Sequence, residues 1–123
     1  MQNDKVKFKN EFKRRLYRFV LKLLELIETL PKDRVCYIVG DQLLRSCTSI
    51  LGNYIEGQSA SSKKDFIKYF ENSLKSGNES KVWLCILRDR YKITKEQSQW
   101  FIKELTEICN ILASSILTLK GKK

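Results

Sequence analysis

The sequence predicts an all-α fold, an antiparallel up-down-up-down four-helix bundle in which residues 1–123 form one domain. Three observations carry this. Apolar residues recur at three- and four-residue steps in four separate segments, the spacing that gathers one face of a helix. The links between those segments are short and carry helix-stopping and helix-starting residues, so consecutive helices are antiparallel neighbours. No strand pattern, repeat or low-complexity tract competes with this reading.

The first helix is expected from about Lys9 to Leu30. Phe8, Phe12, Leu16, Phe19, Val20, Leu23, Ile27 and Leu30 make one apolar stripe. Arg14, Arg18 and Lys22 lie four apart on the opposite side, and Glu11 can reach Arg14 and Arg15 within one turn. Pro31 ends the helix because it cannot continue the backbone hydrogen bonding.

Asp33 is the expected N-cap of the second helix, and Gly57 its left-handed C-cap. Residues 35–57 hold only three charges, Asp41, Arg45 and Glu56, in a protein that is 31% charged. A helix so poor in charge has no broad face to give to water. Asp41, Gln42, Arg45 and Asn53 interrupt it too often for a membrane span. It should therefore be buried on most sides, partly by its own chain and partly by copies of itself.

Residues 58–62 form a small, polar link. Ser62 is the expected N-cap of the third helix, with Asp65 well placed in its first turn. Phe66, Phe70 and Leu74 continue the apolar stripe. Gly77 costs a helix about 1 kcal/mol relative to alanine, a cost that close approach of another helix would offset. Residues 82–87 are apolar all round and are expected to touch both the core and a neighbouring subunit.

Thr94 and Gln97 form a capping-box pattern that opens the fourth helix. Phe101, Leu105, Ile108, Leu112, Ser115 and Leu119 step along one face, broadened by Cys109 and Ile116. Gly121 closes the helix, and Lys120, Lys122 and Lys123 place positive charge at its negative end.

Composition narrows the function. Lysine and arginine total 24 against 14 acids, a formal charge of +10. Such an excess favours a polyanion partner, RNA, DNA or an acidic protein surface, although lysines also simply solvate helix faces. Histidine is absent, and Cys36, Cys47, Cys85 and Cys109 show no CxxC spacing, so neither a metal nor a cofactor is expected. The cysteines sit among apolar neighbours as small hydrophobes, which fits a reducing cytoplasm. The N-terminus lacks the apolar core of a signal peptide, and no run is long enough to enter a membrane. Without histidine, a phosphate loop or a serine elbow, the chain reads as non-enzymatic.

Two groups of residues stand out. Arg45, Asn53 and Glu56 are polar positions on the low-charge helix, with Glu79 on the third helix as a partner for Arg45. They read as a polar network fixing register or subunit contact, and alternatively as a site for a phosphate or carboxylate. The second group is basic. Lys7, Lys13, Arg14, Arg15, Arg18 and Lys22 crowd the first helix with Lys5 and Lys9. Lys63 and Lys64 open the third, where Lys68 follows, and Arg88, Arg90, Lys92 and Lys95 lie near its far end. The first-helix set with Lys63 and Lys64 is assigned to nucleic-acid phosphates. Tyr17, beside that face, is placed to stack on an unpaired base, or else to serve as a rim or interface tyrosine.

The string RSCTSILGNYIEGQSASSKKDFIKYF, followed by LKSGNES and the ending LKGKK, resembles the bacterial four helix bundle protein family. That family includes proteins encoded by intervening sequences within large-subunit ribosomal RNA genes. The positions carrying the resemblance include Arg45, Ser46, Ser49, Asn53, Glu56 and Gly57, then Ser62, Lys64, Phe66, Phe70, Ser76 and Glu79. The resemblance implies a bundle that assembles as a ring-like homo-oligomer, commonly a homopentamer. It also implies kinship with the accessory variability protein of diversity-generating retroelements, a basic pentameric barrel that binds nucleic acid and works with a reverse transcriptase. This chain departs considerably from that relative.

The reading that results is a non-enzymatic, homo-oligomeric nucleic-acid-binding accessory protein, with RNA favoured. Two others stand beside it: a protein-interaction scaffold with an acidic partner or a reverse transcriptase, and an enzyme working through Glu56 or Glu79.

Overall fold

Three side-chain oxygens set where three of the helices begin. In the computed structural model, which describes residues 2–122, the Cys36 amide donates to Asp33 Oδ1 at 2.8 Å. The Asp65 amide donates to Ser62 Oγ at 3.1 Å. Thr94 Oγ1 accepts from the Gln97 amide while the Gln97 side chain accepts from the Thr94 amide, closing the capping box. The elements are α1 (Gln2–Glu28), α2 (Arg34–Gln58), α3 (Lys63–Asp89) and α4 (Lys95–Leu119). The described residues contain no strand. Lys123 lies outside them.

The helix ends depart from expectation in instructive ways. Helix α1 starts at Gln2, seven residues before Lys9, and Phe8 lies parallel to Phe12 one turn on. It stops at Glu28 because the residue preceding Pro31 is pushed out of helical geometry. Gly57 is not a cap. Helix α2 runs through it to Gln58, with Ser59 as C-cap at a negative φ of −98°. Gly57 is instead a contact position: a β-carbon there would lie 3.1 Å from the Phe70 ring and 3.2 Å from Tyr69 Cβ.

Helices α3 and α4 end alike. After α3, Lys92 N–H donates to Leu87 O and Tyr91 N–H to Arg88 O. After α4, Lys122 N–H donates to Leu117 O and Gly121 N–H to Thr118 O. Each is the six-residue closure whose penultimate residue takes the left-handed conformation. Gly121 does so at φ 71°, as its type suggests, but Tyr91 does so at φ 59° with a full side chain.

Helices α1 and α2, α2 and α3, and α3 and α4 pack as sequential neighbours. Side chains of α1 and α4 close the bundle: Phe19 meets Phe101 edge-on at 5.5 Å and stacks with Trp100. Leu23, Leu43, Ile50, Leu84, Leu87, Leu105, Ile108 and Leu112 are almost wholly buried between the four helices.

Small residues draw α2 and α3 together. Ser73 Oγ donates to the Ile50 carbonyl at 2.8 Å, Ser80 and Ser46 hydroxyls meet at 2.7 Å, and Ser76 and Ser49 hydroxyls at 2.9 Å. Gly77 is buried on the same helix, and a β-carbon there would lie 2.6 Å from Cys109 Sγ of α4. The glycine thus admits the neighbouring helix that its sequence position calls for.

The own chain covers only one side of α2. Cys36, Leu43, Cys47, Ile50 and Tyr54 are buried, but Val35, Tyr37, Ile38 and Ile55 are exposed, Tyr37 by 60%. Tyr37, Leu44, Leu51 and Ile55 follow steps of seven, seven and four, which aligns them along one stripe. At the end of α3, Leu84 and Leu87 enter the core, Trp83, Cys85 and Ile86 are half-buried, and Val82 faces out.

Candidate nucleic-acid interface

The basic residues of α1 are placed by the same periodicity that buries Phe12, Leu16, Phe19 and Leu23. Side chains that fall between those positions point outward. Lys7, Lys13, Arg14, Arg18 and Lys22 are all exposed. Tyr17 is 56% exposed and lies three residues from Arg14 and four from Lys13, close enough to share their surface. Glu11 makes no ion pair among the described residues, so Arg14 keeps its charge free.

Arg15 does not belong to that face. Its guanidinium turns toward α4, where Nη2 reaches Glu104 Oε1 at 2.7 Å and Nε reaches Oε2 at 2.8 Å. Nη2 also lies 3.2 Å from Glu107 Oε1. Arg15 holds the Glu104 carboxyl below the ordinary carboxylate range, chiefly through this hydrogen bonding, with burial opposing it. A cation so engaged is not available to a phosphate. Lys22 is held differently, with Nζ 5.4 Å from the Trp100 ring centroid, a contact that orders the ammonium without neutralising it.

Topology builds a second basic region that the linear sequence hides. The up-down-up-down path brings the start of α1, the end of α2, the start of α3 and the end of α4 to one end of the bundle. Lys63 and Lys64, both exposed in the first turn of α3, thereby join Lys5, Lys7 and Lys9 of α1 and Lys122 after α4. Lys120 is there too, but Glu71 takes its Nζ at 2.8 Å. The sequence assigns Lys63 and Lys64 to phosphates beside the first-helix set, and the path of the helices brings them to the same end of the bundle as the start of α1.

The expected network of Arg45, Asn53, Glu56 and Glu79 does not form within the subunit. Arg45, Glu56 and Glu79 are exposed and make no ion pair among the described residues. Arg45 sits two residues from both Leu43 and Cys47, which turns it to the side of α2 away from the core. Asn53 alone is half-buried, and its Nδ2 donates to the Ser49 carbonyl and hydroxyl, each at 2.9 Å. The polar seam between α2 and α3 is therefore made of serines, hydroxyls short enough to fit where the helices are closest. Their three- and four-residue spacing was a signal the charged residues obscured.

Nothing in this arrangement resembles a metal centre: no group of three or more Cys, Asp or Glu residues converges among the described residues. All four cysteines are free thiols. Burial pushes the Cys47 thiol up to about 12, far from the range of a reactive thiolate. No helix among the described residues is long and apolar enough to cross a membrane.

The profile of the 23S rRNA-intervening sequence protein family matches residues 9–114. The chain belongs to that family. The match spans the α1 cations from Lys9 to Lys22 and the pair Lys63 and Lys64, and stops short of the α4 terminus. A protein of unknown function from the S23 ribosomal protein family of Bacteroides thetaiotaomicron, known from its crystal structure, shares 33% sequence identity. It superposes with a TM-score of 0.82, over 88% of this chain and 96% of that one. None of the curated proteins is a match. The superposition with this relative thus supports the all-helical fold.

Proposed function

We propose that this member of the 23S rRNA-intervening sequence protein family is a non-enzymatic nucleic-acid-binding protein, with RNA its preferred partner, acting as a homo-oligomer in the cytoplasm. The observation that carries the reading is the outward row of Lys7, Arg14, Arg18 and Lys22 on α1, free of carboxylate partners while Arg15 beside it is neutralised. The basic bundle end with Lys63 and Lys64 extends this surface. Such cations bind phosphates with little regard to sequence. Tyr17 adds a stacking platform at the centre of the row.

Oligomerisation through the exposed stripe of α2 would multiply the basic face. A ring of five is the arrangement implied by the family resemblance. In that assembly Arg45 and Glu56 would act between copies. A protein-interaction scaffold, with an acidic protein or a reverse transcriptase as its partner, is the second reading; the apolar exposure of Tyr37, Ile38 and Ile55 offers a surface for a protein contact.

Titration with a structured RNA at rising salt tests the first reading. The logarithm of the affinity should fall linearly with the logarithm of salt concentration, by about 0.7 to 0.9 for each phosphate neutralised. Absent binding at low salt, or binding indifferent to salt, would falsify it. Capture of a protein partner from nuclease-treated extract would favour the second.

A further inference from the structure

A pocket opens at the basic end of the bundle, and its lining matches none of the roles assigned so far. It has a volume of about 360 Å³ and draws residues from all four helices. Phe12, Tyr54 and Phe70 form its buried floor. Phe66 stacks on Phe70 at 4.6 Å, and Phe8, more than half exposed, lies parallel to Phe12 at 6.2 Å. Lys5 and Lys9, one helical turn apart, stand among the lining residues, and no carboxylate does.

Gln58 makes this more than an apolar recess. Its Oε1 is buried without a hydrogen-bond partner. The Tyr54 hydroxyl donates toward the Lys9 carbonyl at 3.4 Å, so it does not supply a hydrogen to Gln58 Oε1. A buried acceptor without a donor is costly, and a ligand that brings a donor relieves that cost.

We propose that this pocket holds one unpaired nucleotide of a bound RNA, with the base against the Phe8 and Phe66 rings, its amino group donating to Gln58 Oε1, and the phosphate between Lys5 and Lys9. This rests on the RNA-binding reading above and names the unit captured. Aromatic rings offer a base its stacking surface, the lysines match the charge of a phosphate, and the orphan acceptor selects a ligand with an N–H at its apolar end. A fatty acid would satisfy the rings and the lysines but leave Gln58 unpaired. That difference points to a nucleobase.

The test uses the intact protein, NMR titration of its side-chain signals and two nucleotides that differ by one group. AMP carries the amino donor, and purine riboside 5′-monophosphate lacks it. AMP should saturably shift the Phe8, Phe66 and Gln58 signals and bind at least about tenfold more tightly, the cost of leaving the acceptor unpaired. Equal affinities, or shifts confined to the outer face of α1, overturn the proposal without need of any variant. Gln58→Leu should abolish the discrimination, and Lys5→Ala with Lys9→Ala should weaken AMP but not adenosine. A single-stranded adenylate hexamer should bind more tightly than AMP and depend on Gln58. A hexamer weaker than AMP would reject RNA as the source. RNA binding that ignores Gln58, Lys5 and Lys9 but falls with Arg14→Ala and Arg18→Ala would sink the pocket and leave the wider reading standing. Loss of RNA binding altogether in the unmodified protein would sink the wider reading.

Discussion

Arg15 of α1 and Glu104 of α4 meet as a two-point ion pair across the seam that closes the bundle, with contacts of 2.7 and 2.8 Å. The pair is part-buried, and its geometry is of the kind that contributes more than a loose surface contact. Arg15→Ala should lower unfolding stability by about 1 kcal/mol, allowing for partial solvent screening, and leave RNA affinity unchanged. Arg14→Ala and Arg18→Ala should do the reverse. The sign of the pH effect follows from the Glu104 carboxyl, which the fold holds below its ordinary value. Its contribution is complete above the ordinary glutamate range and is lost as pH falls from that range through the lower folded value. Chemical unfolding of the three variants at neutral pH, set beside RNA titrations, checks the division of labour between neighbouring arginines.

That division also marks where sequence reading stops. The helix count, the caps at Asp33, Ser62 and Thr94, and the need for close packing at Gly77 follow from local rules. These depend on residues within a turn of each other, and the structure agrees with them. The role of Arg15 depends on Glu104, 89 positions away. Gly57 misled for a similar reason: a glycine suits both a left-handed cap and a tight contact, and only the Phe70 ring decides between them. Lys63 joins Lys5 and Lys9 because of topology, which no local pattern encodes.

Gly77→Ala tests the tightest contact in the fold. A β-carbon there would lie 2.6 Å from Cys109 Sγ, so one of the helices must move. Overpacking of this kind costs about 1–3 kcal/mol, partly offset by the better helix propensity of alanine. A net loss of about 1 kcal/mol or more in urea unfolding is expected. Cys109→Ala removes the obstructing sulfur, so in that background the glycine replacement should cost little. Gly52→Ala serves as a control, since nothing lies within 4 Å of its added carbon and it should stabilise the helix slightly.

Tyr91→Gly should stabilise the protein. Tyr91 occupies the left-handed position after α3 at φ 59°, a conformation that costs a side-chain-bearing residue about 1 kcal/mol relative to glycine. Tyr91 is 92% exposed, so removing its side chain sacrifices almost no packing. The midpoint of thermal unfolding should rise by a few degrees, and an unchanged or lower midpoint would show that the ring has a partner.

Asp33 makes acid stability a local readout. The Lys92 ammonium, 2.8 Å from Oδ2, and the Cys36 amide at the start of α2 draw its carboxyl down to about 2. The folded value lies below the ordinary one, so its contribution is intact above about pH 4 and is lost as pH falls from there toward 2. Asp33→Asn keeps a capping oxygen but cannot pair with Lys92 as a carboxylate. Stability of that variant should fall less steeply between pH 4 and 2 than that of the unmodified protein, measured by urea unfolding at fixed ionic strength. Parallel acid limbs in the two proteins would show that another carboxylate controls the transition.

Leu51→Glu addresses the surface on which the proposed assembly depends. Leu51 lies midway along the α2 stripe of Tyr37, Leu44 and Ile55, half-buried by its own chain. A glutamate can swing its carboxylate into water in a lone subunit, so the fold of a monomer tolerates it. At an interface it cannot, because a buried, unpaired charge costs several kcal/mol for each copy. In a cyclic oligomer every contact carries the same defect, so a substitution mild for one chain is severe for the ring. Light scattering on the variant should find monomers, or insoluble protein if the exposed apolar stripe associates without order. Circular dichroism of a soluble monomer should keep its helical signal, which separates loss of assembly from loss of fold. A soluble oligomer of unchanged mass would move the interface away from this stripe, toward Val82 and the end of α3.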